Sequence, residues 1–221
     1  MNIPSGLLPG SFLLISGLVC ALLLALALIT APWSKLRGGD AVNVYLGAVV
    51  VLSVLWSLQG GIQTGLHYHL LGVTALCLMF EWQFALFAVC AVLGLATAWG
   101  AGGWEAYGFN LLVAGVVPVI LTRILLYLCQ RYLPHNFFIY VFINAFLAGA
   151  LCMLAAGLVS AGLQQLSGVH ASGSVLDNFV LVLPMLMFGE GFLNGAAVSL
   201  AVAYRPQWVA TFHDRWYLQG K

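Results

Sequence analysis

The sequence predicts an all-α protein: a polytopic membrane helix bundle of about seven transmembrane segments, forming one membrane domain over residues 1–221. Two observations carry this. The chain is 63% hydrophobic and only 6% charged, whereas a soluble domain carries about a quarter charged residues. Its apolar residues also fall into runs long enough to cross the ~30 Å hydrocarbon core, punctuated by Gly, Pro and charged residues. A third observation, the placement of the seven Lys and Arg residues, sets the orientation.

The expected segments are 11–31, 42–58, 69–80, 83–99, 108–132, 137–163 and 175–204. Residues 1–10 precede them as an outer segment without Lys or Arg. The basic region of a removable signal peptide is therefore missing, and the run from Phe12 to Ala31 reads as a true first helix, with Met1 retained. The third run is short, and the irregular stretch Gly60-Gly61-Ile62-Gln63-Thr64-Gly65 is expected to complete it. Non-helical backbone at membrane depth is tolerated only inside protein or beside a water-filled cavity. A helix is expected to begin near Leu70, and Glu81 and Trp82 fall at an inner turn. The last run contains Pro184, which is expected to bend or split it. Residues 205–221 are a tail too short for a core of its own.

With the N-terminus outside, Lys35, Arg37, Arg131, Arg205, Arg215 and Lys221 all lie on cytoplasmic loops or the cytoplasmic tail, and Arg123 can snorkel inward. The outer loops 59–68, 100–107 and 164–174 hold no Lys or Arg. The positive-inside rule thus gives one topology: N-terminus outside, C-terminus cytoplasmic, in the cell's inner membrane. Met1 and the 59–72 segment then share the outer side.

That segment holds His67 and His69. Imidazole suits Zn, Cu, Ni and Fe. At spacing i, i+2 the two rings diverge by about 200° on a helix but share one side of an extended chain. The bland alternative is a solvated or helix-capping pair. Glu190 is a carboxylate in an apolar run, which is by default a functional residue. It is either a structural anchor, paired with Arg123, Asn110 or Asn144, or it lines a path. Asn110, Asn144 and Asn194 are expected to hydrogen-bond between helices, and Ala21/Ala25 and Ala27/Ala31 make a small-residue stripe. Cys20, Cys77, Cys90, Cys129 and Cys152 lie singly in apolar stretches and read as core residues rather than a disulfide framework. His135, His170 and His213 are assigned no chemistry.

A net charge of +1 gives no case for nucleic acid. The H-E-x-x-H, G-x-S-x-G and Walker A patterns are all missing, so no enzyme is expected, and ATP-driven work would need another chain.

In order and spacing, several pieces resemble the CbiM/NikM family, the membrane substrate-binding (S) components of energy-coupling-factor transporters for cobalt and nickel. The start Met1-Asn2-Ile3-Pro4-Ser5-Gly6 resembles the family's Met-His-Ile-Pro-x-Gly. His69-Leu70-Leu71-Gly72 matches its H-L-L-G segment. Gly108-Phe109-Asn110 with Gly115 and Pro118 is similar to its G-x-N…G-P helix, and Gly189-Glu190-Gly191 followed by Arg205-Pro206 to its close. The resemblance implies a metal site made by the Met1 amine, the residue 2 main chain and His69. It also implies a transmembrane T component and cytoplasmic ATPases as partners.

Residue 2 is Asn where the family's metal binders have His, and a carboxamide is a far weaker ligand. His67 is the candidate replacement. The resemblance implies Ni or Co as the transported substrate, with no prosthetic group; a set of nitrogen ligands also suits Cu or Zn. The expected function is uptake of a divalent transition metal through an outer-face site. The alternative is a divergent membrane protein that keeps the scaffold for assembly or interaction and has lost the site.

Overall fold

The structure, a computed structural model, describes residues 3–4, 6–37, 39–63, 66–167, 180–213 and 217. It is a helix bundle in which, among the described residues, six helices are long and apolar enough to cross a membrane. These are α1 (Gly10–Thr30), α2 (Gly39–Ser57), α3 (Val73–Ala98), α4 (Tyr107–Tyr132), α5 (Phe137–Leu166) and α6 (Leu183–Tyr204). Strands β1 (Gly60–Gln63) and β2 (Leu66–Tyr68) pair antiparallel between α2 and α3.

About seven segments were expected, and the difference lies in α3. The runs 69–80 and 83–99 form one element with a break at Glu81 (φ 74°, ψ 163°). This backbone region is occupied almost only by glycine and is strained for glutamate by about 1–3 kcal/mol. The two limbs run in opposite directions. Along 73–80, Gly72 lies beside Leu52 and Leu55 near the end of α2, and Phe80 meets Tyr45 near its start. Along 82–98, Gln83 Nε2 donates to the Thr30 carbonyl (3.1 Å) at the end of α1. Beyond the limb, Gly103 donates to the Ile3 carbonyl (3.2 Å) ahead of α1. Glu81 is thus a reversal, fastened by Lys35 Nζ (2.8 Å) and Arg123 Nη1 (3.3 Å).

Three expectations are corrected. The 60–63 stretch is not irregular: it is a strand paired with 66–68, with Thr64 and Gly65 outside the described residues. The helix begins at Val73, not near Leu70, because Gly72 takes a left-handed conformation (φ 66°) that turns the chain into it. Pro184 neither bends nor splits α6. It sits in the first turn, where its missing N–H would have no helical partner in any case; residues 175–179 of the expected run, and His170 in the expected outer loop, lie outside the described residues. The tail, expected to have no core of its own, packs against the bundle. Val209, Phe212 and Tyr217 are buried and join Leu78, Tyr140 and Val198 in a second apolar cluster; Thr211 is buried beside them.

Two π-helical stretches, Leu112–Val116 in α4 and Tyr140–Leu147 in α5, have no counterpart among the expected elements. The first directly precedes Pro118. Proline lacks the N–H for the carbonyl four residues back and crowds it, and a wider turn absorbs the conflict. Of the small-residue stripe on α1, Ala27 and Ala31 are buried, while Ala21 and Ala25 face outward. The five cysteines are free thiols. The larger apolar cluster runs from Ile3, Trp56 and Leu71 through α3 to Phe109 and Leu183.

Candidate metal centre

One end of the bundle carries Ile3, the hairpin and the 99–106 turn; the other carries the 31–37 link, the 133–136 turn and residues 205–213. The described loop cations Lys35, Arg37, Arg131 and Arg205 belong to that second, basic end. His67 and His69 belong to the first.

His69 follows β2 and sits in four non-helical residues, 69–72, that lead into α3. Its ring is 2% exposed and lies against the Trp56 indole, with centroids 4.3 Å apart and a 44° tilt. Trp56 Nε1 donates to the Leu71 carbonyl at 3.0 Å, pinning the same turn. Nδ1 of His69 lies 3.1 Å from the Leu70 carbonyl. A carbonyl only accepts, so Nδ1 carries the proton and Nε2 keeps the lone pair. Nε2 is buried and has no hydrogen-bond partner among the described residues. Burial holds the ring's pKa well below the usual imidazole range, and the charge of the N-terminal amine acts in the same direction. The result is a neutral imidazole with a bare nitrogen, the state in which histidine ligates a metal.

His67 lies in β2, opposite Gly61, and is half-buried. Burial, then the N-terminal amine, lowers its pKa too. His67 lies in a strand and His69 in the non-helical residues that follow it, so the divergence expected on a helix does not arise. Met1 and Asn2 lie outside the described residues. Among those described, no three His, Cys, Asp or Glu side chains gather as a metal-binding group, so an ion at His69 needs other donors, such as main-chain nitrogens and an amine.

Glu190 is fully buried, and none of its expected partners, Arg123, Asn110 or Asn144, is what it holds. Its carboxylate accepts from the N–H groups of Leu71 (2.6 Å) and Gly72 (2.7 Å). Asn194, one turn on, donates Nδ2 to Glu190 Oε1 (2.7 Å) and accepts from the Ala75 N–H (2.7 Å). The first N–H groups of a helix lack partners within it, and its positive end favours a carboxylate. Two side chains of α6 therefore cap α3 from across the bundle, at the turn that presents His69.

Asn110 makes the matching clamp on the N-terminal segment. Its Oδ1 accepts from the Ile3 N–H (2.8 Å), and its Nδ2 donates to the Ile3 carbonyl (3.2 Å). Asn144 does bridge helices, giving Nδ2 to Cys129 Sγ (3.3 Å), but remote from His69. Arg123 belongs to the Glu81 cluster. The centre also needs Trp56, which sequence reasoning missed. Its only signal was an indole N–H one turn before the glycine-rich stretch, where a buried Trp must find an acceptor.

The family model described as "Cobalt uptake substrate-specific transmembrane region", CbiM, matches residues 2–208. The chain belongs to the CbiM family. The CbiM match takes in the N-terminal segment, the histidine hairpin, the Glu190 cap and the start of the tail. Among solved structures, the CbiM chain superposes on a truncated transition metal transporter with TM-score 0.70 and 19% identity, covering 92% of this chain and 97% of that one. It superposes on a second transition metal transporter with TM-score 0.73 and 17% identity, covering 94% and 93%. At those identities the likeness is one of fold. No curated protein matches the chain.

Proposed function

We propose that this CbiM-family chain is the membrane S component of an energy-coupling-factor-type transporter and takes up a divalent transition metal ion of the cobalt/nickel class. The ion is captured at the histidine end, which faces outward from the inner membrane, by His69 Nε2, the Met1 amine and the Asn2 main chain. His67 stands in for the imidazole that Asn2 does not supply. A T component and cytoplasmic ATPases, separate chains, engage the basic end and provide the energy.

One observation above all supports this reading. The His69 ring is buried and kept neutral, with its tautomer set by the Leu70 carbonyl and Nε2 left without a partner among the described residues. A bare buried acceptor costs about 1–3 kcal/mol, so it is an expensive feature in a segment otherwise bonded with care.

The deciding experiment is metal titration of protein purified with an untagged N-terminus. Wild type is expected to bind one Ni or Co ion, His69→Ala to lose binding by about 100-fold or more, and His67→Ala to lose less. Asn2→His is expected to tighten Ni binding. Failure of the wild type to bind Ni, Co, Cu or Zn stoichiometrically would reject a metal site and leave the assembly role as the reading to pursue.

A further inference from the structure

The 73–80 limb of α3 is about 12 Å long at helical rise and begins four residues after His69. Groups from elsewhere fasten it at both ends. At its start, Glu190 and Asn194 hold the N–H groups of Leu71, Gly72 and Ala75. At its finish, the Met79 carbonyl accepts from the Ala210 N–H (3.0 Å). The Leu78 carbonyl accepts from the Thr211 N–H (3.2 Å) and from Thr211 Oγ1 (2.8 Å). Thr211 Oγ1 also bonds the Tyr140 hydroxyl at 2.6 Å. Next comes Glu81, in its left-handed strained conformation (φ 74°), held between Lys35 and Arg123. Near its start, Thr74 Oγ1 meets Thr122 Oγ1 at 3.0 Å.

Two turns of helix contain too few internal bonds to stand alone, so the limb's position follows from its end contacts. It is also stiff along its axis, so a shift at one end is felt at the other. Of the six candidate membrane helices, it belongs to the one most buried in the bundle, and its two ends touch the histidine segment and the tail directly.

We propose that the 73–80 limb couples the two ends of the molecule, making Thr211 and Glu81 positioning residues for His69. The docked tail holds the limb where His69 presents Nε2. Releasing the tail lets the limb slide and weakens the ion site. This rests on the metal-binding reading of His69. It supplies a route by which a protein engaging the basic end lowers ion affinity at the histidine end. Coupling of this kind is reciprocal, so ion binding must in turn tighten the tail.

Both directions are measurable on full-length protein in nanodiscs, with nickel(II) as the probe. Nickel is expected to slow amide exchange across residues 205–213 several-fold, and His69→Ala to abolish that effect. Thr211→Val is expected to weaken nickel binding by about fivefold or more, and Glu81→Gln to act in the same direction. Ser160→Ala alters a buried hydroxyl that accepts from Gln164 within α5. Even if it lowers thermal stability as much, it should leave nickel affinity unchanged, which separates positioning from general loosening. If Thr211→Val does not fold, Glu81→Gln and the exchange measurement on wild type still decide. Nickel binding to wild type with unchanged tail exchange, and with variant affinities within about twofold, would overturn the coupling and leave the metal site standing. Absence of nickel binding to wild type would remove both.

Discussion

His69 combines three features that compete in the metal-free protein. Its ring gains contact with Trp56, its Nδ1–H is satisfied by the Leu70 carbonyl, and its Nε2 has no partner among the described residues. His69→Phe keeps the ring contact and removes the bare nitrogen. The metal-free variant should therefore melt at or above the wild-type temperature. Adding nickel should raise the wild-type melting temperature by mass action and leave the variant unmoved; differential scanning fluorimetry reads both. The same residue sets a pH dependence. Its folded pKa lies well below the ordinary 6.5, so below that pH the unfolded chain binds a proton that the folded protein does not. Stability must then fall as pH drops through about 6.5 and level off once the folded ring protonates. Melting curves of the metal-free protein between pH 5 and 7.5 should show that loss in wild type, with its His69 share gone from His69→Phe.

At the scale of the element, the start of α3 determines whether His69 is held at all. Residues 69–72 are non-helical backbone inside an apolar bundle, tolerable only if their polar groups are met by protein. Trp56 and Glu190 meet them, and Asn194 holds the Glu190 carboxylate in place. Glu190→Leu would leave two buried N–H groups unmatched, at about 1–3 kcal/mol each. Glu190→Gln retains one acceptor oxygen and should cost less. Gly72→Ala carries two penalties: a left-handed φ of 66°, and a Cβ 2.7 Å from Leu52 Cδ1. It should lower the melting temperature and nickel affinity together. Gly191 is constrained differently: a Cβ there would lie 2.9 Å from the Phe146 carbonyl, so Gly191→Ala should part α5 from α6 and lower stability with less effect on the ion site.

Parts of this element were legible in the sequence. A lone carboxylate between glycines in an apolar run announced that Glu190 had a task, and the break near Glu81 followed from a charge between two apolar runs. Its partners were not legible. They are backbone N–H groups more than a hundred residues away, and main-chain groups leave no mark in composition. The hairpin was missed because glycines dominate the 60–65 stretch and hide its period. The π-helical stretches were missed because their cause is Pro118 and interhelical packing, neither of which alters hydropathy.

For the whole molecule, the segregation of charge was the strongest signal, because it depends on counting Lys and Arg rather than on contacts. The structure adds a physical link between the expected inner loops. Lys35, Arg123 and Glu81 join the 31–37 link, α4 and the reversal of α3 in one cluster. The residues whose carbonyls accept from the tail, Leu78 and Met79, lie just before that reversal. Exposed ion pairs contribute only about 0–1 kcal/mol each, so the cluster's value lies in fixing the strained turn rather than in overall stability. Together these groups make the basic end a single surface, and the positive-inside rule predicts that it faces the cytoplasm. The prediction can be tested in intact cells with a membrane-impermeant maleimide. Ser34 and Glu105 are exposed at opposite ends, and the native cysteines are buried or half-buried, so background labelling should be low. Glu105→Cys is expected to label in intact cells, and Ser34→Cys only after permeabilisation. The reverse pattern would put the histidine end inside, where it could not capture an ion from outside, and would refute uptake through that end whatever the protein binds.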